Sequence, residues 1–299
     1  MSRPDWNRQG RNWPNRSESR FVDAGGIRFH VQVAGSGPVI LLLHGTGAAT
    51  HSWRDMLPLL AQDFTVIAPD LPGHGFSGGT ANQLTLPLMA KVIGTLCDTL
   101  SLAPDVIVGH SAGAAIAVRM VSDGFVHPRA IIAANGALLP FPGVAAKIFP
   151  AMAQMLFINP FMPRLFALQA AMPGAVESFL KRSTGSTIDA VGVATYEALF
   201  RSAGHCAGAL GMMANWDLNR IKAELATLTI PLALVYGDRD AAVPPSVSRD
   251  VARIARHAEL IAMPGLGHLA PEEDPEGFAT IIRRIAATTK RPAASETGA

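Results

Sequence analysis

With 299 residues and 49% hydrophobic side chains, the chain suits one large domain, or one carrying a sizeable insertion, with ample material for a core. A formal charge of +2 is too near zero to indicate a nucleic-acid partner. The two cysteines, Cys97 and Cys206, form neither a metal-ligand nor a redox pattern and read as free thiols in a reducing compartment.

Residues 1–20 form a polar extension with a near-repeat, Trp6-Asn7-Arg8 and then Trp13-Pro14-Asn15-Arg16. It contains no signal-peptide core, and nowhere does the chain offer the roughly 20 uninterrupted apolar residues that cross a bilayer. The expectation is a cytoplasmic protein without a transmembrane segment, touching a membrane at most peripherally. The arm itself reads as solvated and stapled to the domain by its tryptophans, with docking to a partner or an anionic surface as the alternative.

From Phe21 the pattern becomes strand-like. Ile27, Phe29, Val31 and Val33 alternate with Arg28, His30 and Gln32 after the turn Ala24-Gly25-Gly26, which predicts an antiparallel hairpin with one wet face carrying a solvated His30. Val39-Ile40-Leu41-Leu42-Leu43 is apolar throughout and reads as a strand buried on both faces of a parallel sheet. It runs into His44-Gly45-Thr46-Gly47, after which Ser52 is expected to cap a short helix reaching Leu60. Phe64–Ala68 is the next buried strand, leading into Pro69-Asp70-Leu71-Pro72-Gly73-His74-Gly75, and a helix is expected from about Leu86 to Leu102.

Val106-Ile107-Val108 then enters Gly109-His110-Ser111-Ala112-Gly113 and an alanine-rich helical stretch. Strand, Gly-x-Ser-x-Gly, helix is the order of a nucleophile elbow, in which a strained turn exposes a serine at the top of a sheet. Larger side chains at Gly109 and Gly113 would collide with the adjoining strand and helix. After the strand Ala130–Ala134, strand and helix stop alternating, and helical segments broken by prolines and rich in Met, Phe and Leu fill the chain to about 226. Strands resume at Ile230–Tyr236 and Ala258–Ala262, and a last helix covers about Pro275 to Ala287. The expected organisation is an extension at 1–20, a doubly wound α/β core at 21–135 and 227–289, a helical cap at 136–226 and a disordered polar tail at 290–299.

An elbow serine needs a base and a carboxylate to orient that base, in the chain order serine, acid, histidine. Gly237-Asp238-Arg239-Asp240-Ala241-Ala242-Val243-Pro244 follows one late strand, and Gly265-Leu266-Gly267-His268 follows the last. Loops after strand C-termini of a parallel sheet share one edge, so Ser111, Asp240 and His268 can converge. Asp240 is preferred to Asp238, which reads as a turn residue. Oxyanion donors are expected from the backbone N–H groups of Ala112 and Thr46, with Gly47 as alternative to Thr46, each worth roughly 3–4 kcal/mol in the transition state. His44, His74 and His110 read as loop-packing residues. No phosphate loop, metal-ligand cluster or dinucleotide fingerprint appears, so no cofactor is implied.

Together the elbow, acid loop and histidine loop resemble the α/β-hydrolase superfamily over about residues 21 to 288. Serine at 111 argues against the epoxide-hydrolase and haloalkane-dehalogenase branches, which carry aspartate there. A narrower likeness lies in Asp5-Trp6, Trp13-Pro14-Asn15-Arg16, the stretch from His44 to Asp55 and Pro69–Gly75, which look like the magnesium-chelatase accessory family of bacteriochlorophyll biosynthesis. That resemblance implies a setting near magnesium insertion into protoporphyrin and a chelatase subunit as partner.

In the cap, Phe149, Met152, Met155, Leu156, Phe157, Phe161, Met162, Leu165 and Phe166 are unusually apolar for a small lid. An apolar pocket between cap and Ser111, drawing on Met152, Met155, Phe157, Phe161 and Met162, would suit a large hydrophobic substrate such as a tetrapyrrole ester or another lipophilic acyl compound. Two functions compete: a serine hydrolase working through an acyl-enzyme, and a non-catalytic accessory protein that binds a porphyrin or a chelatase subunit. The triad favours the first, and the tryptophan-bearing arm leans toward the second.

Overall fold

In a computed structural model of the chain, residues 3–80, 83–140, 159 and 161–289 are described. Strands β1 (Ser19–Ala24) and β2 (Ile27–Ala34) form the expected antiparallel hairpin. The apolar runs become β3 (Val39–Leu43), β4 (Thr65–Pro69), β5 (Val106–His110), β6 (Ala130–Ala134), β7 (Leu232–Gly237) and β8 (Ala258–Met263). The sheet order is β1-β2-β4-β3-β5-β6-β7-β8, with β2 antiparallel to β4 and every later pairing parallel.

Period-two geometry divides the buried strands between two cores. Leu41, Leu43, Ile107 and Ile131 pack with α2 (Leu86–Leu100), α3 (Ala112–Ser122) and α9 (Pro245–Ile254). Ile40, Leu42, Val106, Val108 and Ile132 pack with α1 (Met56–Leu60) and α10 (Pro275–Thr288), where Phe278 and Ile282 are fully buried. Between β6 and β7 lie α4 (Met162–Gln169), α5 (Ala175–Thr184), α6 (Ala190–Phe200), α7 (Ala203–Ala214) and α8 (Ile221–Thr227). The last of these returns to the core: Ile221 and Leu225 join the α2/α3 side, and Glu224 pairs with Arg119 of α3 at 2.8 Å.

Two local expectations are corrected. His30 and Gln32 are fully buried rather than wet, because the N-terminal arm folds over that face of β2. Trp6 lies 4.8 Å from the His30 ring, Trp13 is 5% exposed and donates to Thr50 Oγ1 at 2.9 Å, and Gln32 donates to the Pro14 carbonyl at 2.6 Å. Ser52 caps no helix: residues Thr50–Trp53 form a 3₁₀ turn that ends before α1. The turn is set by the Asp70 carboxylate, whose Oδ1 accepts the Thr50 N–H at 2.7 Å from the end of β4.

Candidate active site

Ser111 sits between β5 and α3 with φ 53° and ψ −117°, a backbone conformation that costs a non-glycine residue on the order of 1–3 kcal/mol. The flanking glycines explain how the turn is kept. A methyl at Gly113 would overlap the Leu43 carbonyl oxygen, and one at Gly109 would lie 2.5 Å from the Ala114 nitrogen. The loop after β3 passes just as tightly, since a methyl at Gly45 would meet Ser111 Cβ at 2.9 Å. Thr46 therefore follows a residue in contact with the nucleophile candidate, and Ala112 opens α3, where first-turn N–H groups have no intrahelical acceptor and the helix dipole favours negative charge. The Thr46 hydroxyl is turned to Met212 Sδ at 3.4 Å, on α7.

Asp240 and His268 are brought together. His268 Nδ1 lies 2.8 Å from Asp240 Oδ2, and the two side chains are 9% and 1% exposed. A carboxylate oxygen can only accept here, so Nδ1 carries a proton, and in the neutral ring Nε2 keeps its lone pair. The carboxylate is saturated: Oδ1 accepts the N–H groups of Ala242 and Val243, both at 2.8 Å, and Oδ2 also accepts Asn135 Nδ2 at 2.8 Å. Asp238 instead accepts the Gly265 N–H at 2.7 Å in a surface turn.

His268 is tied to the elbow through its neighbour. His110 Nε2 donates to the His268 carbonyl at 2.8 Å, and the two rings lie 4.9 Å apart. Burial holds the His110 pKa down at about 3, so the ring is a neutral donor in this bond. The Ser111 hydroxyl and His268 are not hydrogen-bonded to each other among the described residues; such bonds are often long before substrate binds and tighten in the complex.

Two residues beyond the sequence reading belong to this site. Asn135, the first residue past β6, takes φ 48° and bridges Asp240 to the Gly267 carbonyl at 3.2 Å. Its position at a strand end on the reacting edge was the available signal. His205 of α7 accepts the Gly75 N–H on Nδ1 and donates from Nε2 to the Gly47 carbonyl, both at 3.0 Å, so a residue from the helices between β6 and β7 fixes the loop that carries Thr46. Burial pushes His205 to about 3, which keeps the single tautomer these bonds require. His44 likewise packs its own loop, donating to Gly45 and accepting from Leu71.

Of the proposed pocket residues, Met152, Met155 and Phe157 lie outside the described residues. Phe161 is 68% exposed beside α4, and Met162 is half-buried. A cavity of about 420 Å³ is lined by Cys97, Ser101, Pro104 and Phe125, away from Ser111. Among the described residues no group of three or more His, Cys, Asp and Glu side chains could hold a metal ion, and no helix is long and apolar enough to cross a membrane.

Comparison with known proteins agrees with the fold. The family model described as "Alpha/beta hydrolase family" matches residues 40–281. The chain belongs to this family. It is also 42% identical over 274 residues to the magnesium-chelatase 30 kDa subunit of Rhodobacter capsulatus, covering 91% of this chain and 95% of that protein. The likeness to the chelatase-associated branch, first seen in the arm and the early loops, thus runs through the whole domain. Among solved structures, an epoxide hydrolase without ligand superposes with TM-score 0.76 at 23% identity, covering 91% of this chain and 99% of that one. An esterase of Thermogutta terrifontis gives TM-score 0.72 at 23% identity with the same coverage, 91% and 99%. At that identity both likenesses speak for the fold of this alpha/beta hydrolase, and its chemistry has to be argued from its own residues.

Proposed function

We propose that this alpha/beta hydrolase is a serine hydrolase that cleaves an ester or related acyl bond in a large hydrophobic substrate, working in association with magnesium chelatase in bacteriochlorophyll biosynthesis. The observation that carries the reading is the buried Asp240–His268 pair, with His268 Nδ1 directed at the carboxylate and the His268 carbonyl held by His110, the residue preceding the elbow serine.

The chemistry follows from that arrangement. Ser111 Oγ attacks the acyl carbon while His268 Nε2 takes its proton, and Asp240 holds the imidazolium that results. The oxyanion accepts the N–H groups of Thr46 and Ala112. Collapse expels the alcohol, which takes the proton back from Nε2 and leaves an acyl-enzyme. Water then attacks the acyl carbon, gives its proton to Nε2, and releases the acid and free Ser111.

The hydrophobic character of the substrate or partner is supported by the cap. Phe161, Leu165, Leu168 and Met172 recur at helical spacing and are 68%, 45%, 69% and 62% exposed. A tetrapyrrole ester has the apolar surface to match such a stripe. p-Nitrophenyl esters of increasing acyl length test the reading. Turnover should rise from acetate toward medium chains, and Ser111→Ala should lower it at least about 1000-fold. Equal turnover by wild type and Ser111→Ala would contradict it, and full stimulation of a chelatase by Ser111→Ala would make binding, not hydrolysis, the biological role.

A further inference from the structure

We propose that a strap in the cap, Thr184 to Thr187, together with Glu273, sets the position of His268; Ser186 and Glu273 are then positioning residues for the base. The inference rests on the serine-hydrolase reading and extends it by making the cap part of the catalytic frame.

Three consecutive backbone N–H groups around the base are all bound by this assembly. Gly267 N–H donates to Glu273 Oε2 at 2.8 Å, His268 N–H to the Thr184 carbonyl at 2.9 Å, and Leu269 N–H to Ser186 Oγ at 2.8 Å. Ser186 in turn donates its hydroxyl proton to Glu273 Oε2 at 2.7 Å, and the Thr187 N–H reaches Glu273 Oε1 at 3.0 Å. The same Thr184 carbonyl accepts the Ala241 N–H at 3.3 Å, beside Asp240. One peptide segment of the cap therefore spans the acid loop and the histidine loop.

The approach is backbone to backbone, as fixed geometry requires. Gly185 has φ 72°, and a methyl there would overlap the Arg239 carbonyl oxygen. A methyl at Gly267 would overlap Ser186 Oγ. Ser186 is 2% exposed, so its hydroxyl is spent entirely on this bridge. Without it the Leu269 N–H and one Glu273 oxygen lose a partner, and the loop is free to shift by a fraction of an ångström. A misplacement of about 1 Å at a reacting group costs on the order of 100-fold in rate.

The test uses the full chain as wild type, Ser186→Ala and Glu273→Gln, each reacted with a fluorophosphonate across pH. Three quantities are read: the saturating labelling rate, the half-saturating probe concentration and the labelled fraction. Both variants are expected to lower the saturating rate roughly 10- to 100-fold and to move the pH midpoint of labelling, with half-saturation within about twofold of wild type and a full labelled fraction. Wild-type rates with an unmoved midpoint, or a loss confined to the labelled fraction, would overturn the proposal. If wild-type protein takes up no probe, the hydrolase reading fails instead. The low-field proton resonance of His268 Nδ1 then decides: a change in both variants supports the strap, and an unchanged resonance overturns it.

Discussion

Replacing Asp240 by asparagine is expected to lower ester turnover by about 10,000-fold while leaving a folded protein. In the wild type every lone-pair direction of this carboxylate faces a donor: Ala242 N, Val243 N, Asn135 Nδ2 and His268 Nδ1. An asparagine amide must place its NH₂ at one of these two oxygen positions. Facing Ala242 and Val243, it opposes two N–H groups that cannot rotate away. Facing His268, it forces the imidazole to accept on Nδ1 and to carry its proton on Nε2, the atom that should receive the Ser111 proton. The second arrangement conflicts with fewer fixed donors and is the inactive one. Steady-state kcat beside a thermal melt checks this; a variant within tenfold of wild type would remove Asp240 from the base's support.

Acidification is expected to destabilise the fold steeply below pH 6.5. Burial pushes the pKa of His44, His110 and His205 down to about 3 and that of His74 to about 4, and it holds His51 well below the ordinary histidine value of 6.5. The unfolded chain binds these protons near pH 6.5 and the native state does not, so their contribution is complete above pH 6.5 and is lost as pH falls toward 3. Each such histidine removes on the order of 1 kcal/mol per pH unit in that window. Asp70 adds to the loss lower down. Burial alone would raise its pKa, but the adjacent His30 and the hydrogen bonds from His30 and Thr50 bring it to about 2, so its contribution goes between about pH 4 and 2.

Glu272 works the other way. Burial raises it to about 7, against which the Tyr196 hydroxyl bond at 2.8 Å acts only in part. Its favourable share is present at low pH and lost as pH rises through 7, so acidification recovers one group while several histidines are charged. The melting temperature should therefore fall by roughly 10 °C or more between pH 7 and 5. A flat or rising profile would contradict the buried neutral histidines.

Much of this architecture was legible in the residues, for identifiable physical reasons. Val39–Leu43 and Val106–Val108 had to be buried on both faces because no alternation offered a wet one. The glycines at 109 and 113 announced the close crossing of strand, turn and helix that the structure shows. The loops holding Asp240 and His268 stand out because each follows a late strand of a parallel sheet, the first of them, β7, buried and the second, β8, largely exposed at the sheet edge.

What escaped depended on groups far away in the chain. His30 and Gln32 look solvated in a hairpin pattern, but the arm's Trp6, Trp13 and Pro14 cover them together with Phe76 and Asp70 from the loop after β4. The turn at Thr50–Trp53 is fixed by a carboxylate twenty residues later, a distance no local pattern encodes. Asn135, His205 and Ser186 carry no motif; their roles exist only once β6, α7 and the end of α5 stand beside the reacting edge. The exposed stripe of α4 was foreseen as apolar, but its exposure was not visible in composition.

The central claim is that Ser111 is an activated nucleophile. Treating the purified chain with a fluorophosphonate and locating the adduct by peptide mass spectrometry tests it most directly. The account predicts stoichiometric modification on the Ser111 peptide, with none in Ser111→Ala and strong suppression in His268→Ala. Modification at another serine, or equal labelling of the Ser111→Ala protein, would contradict it.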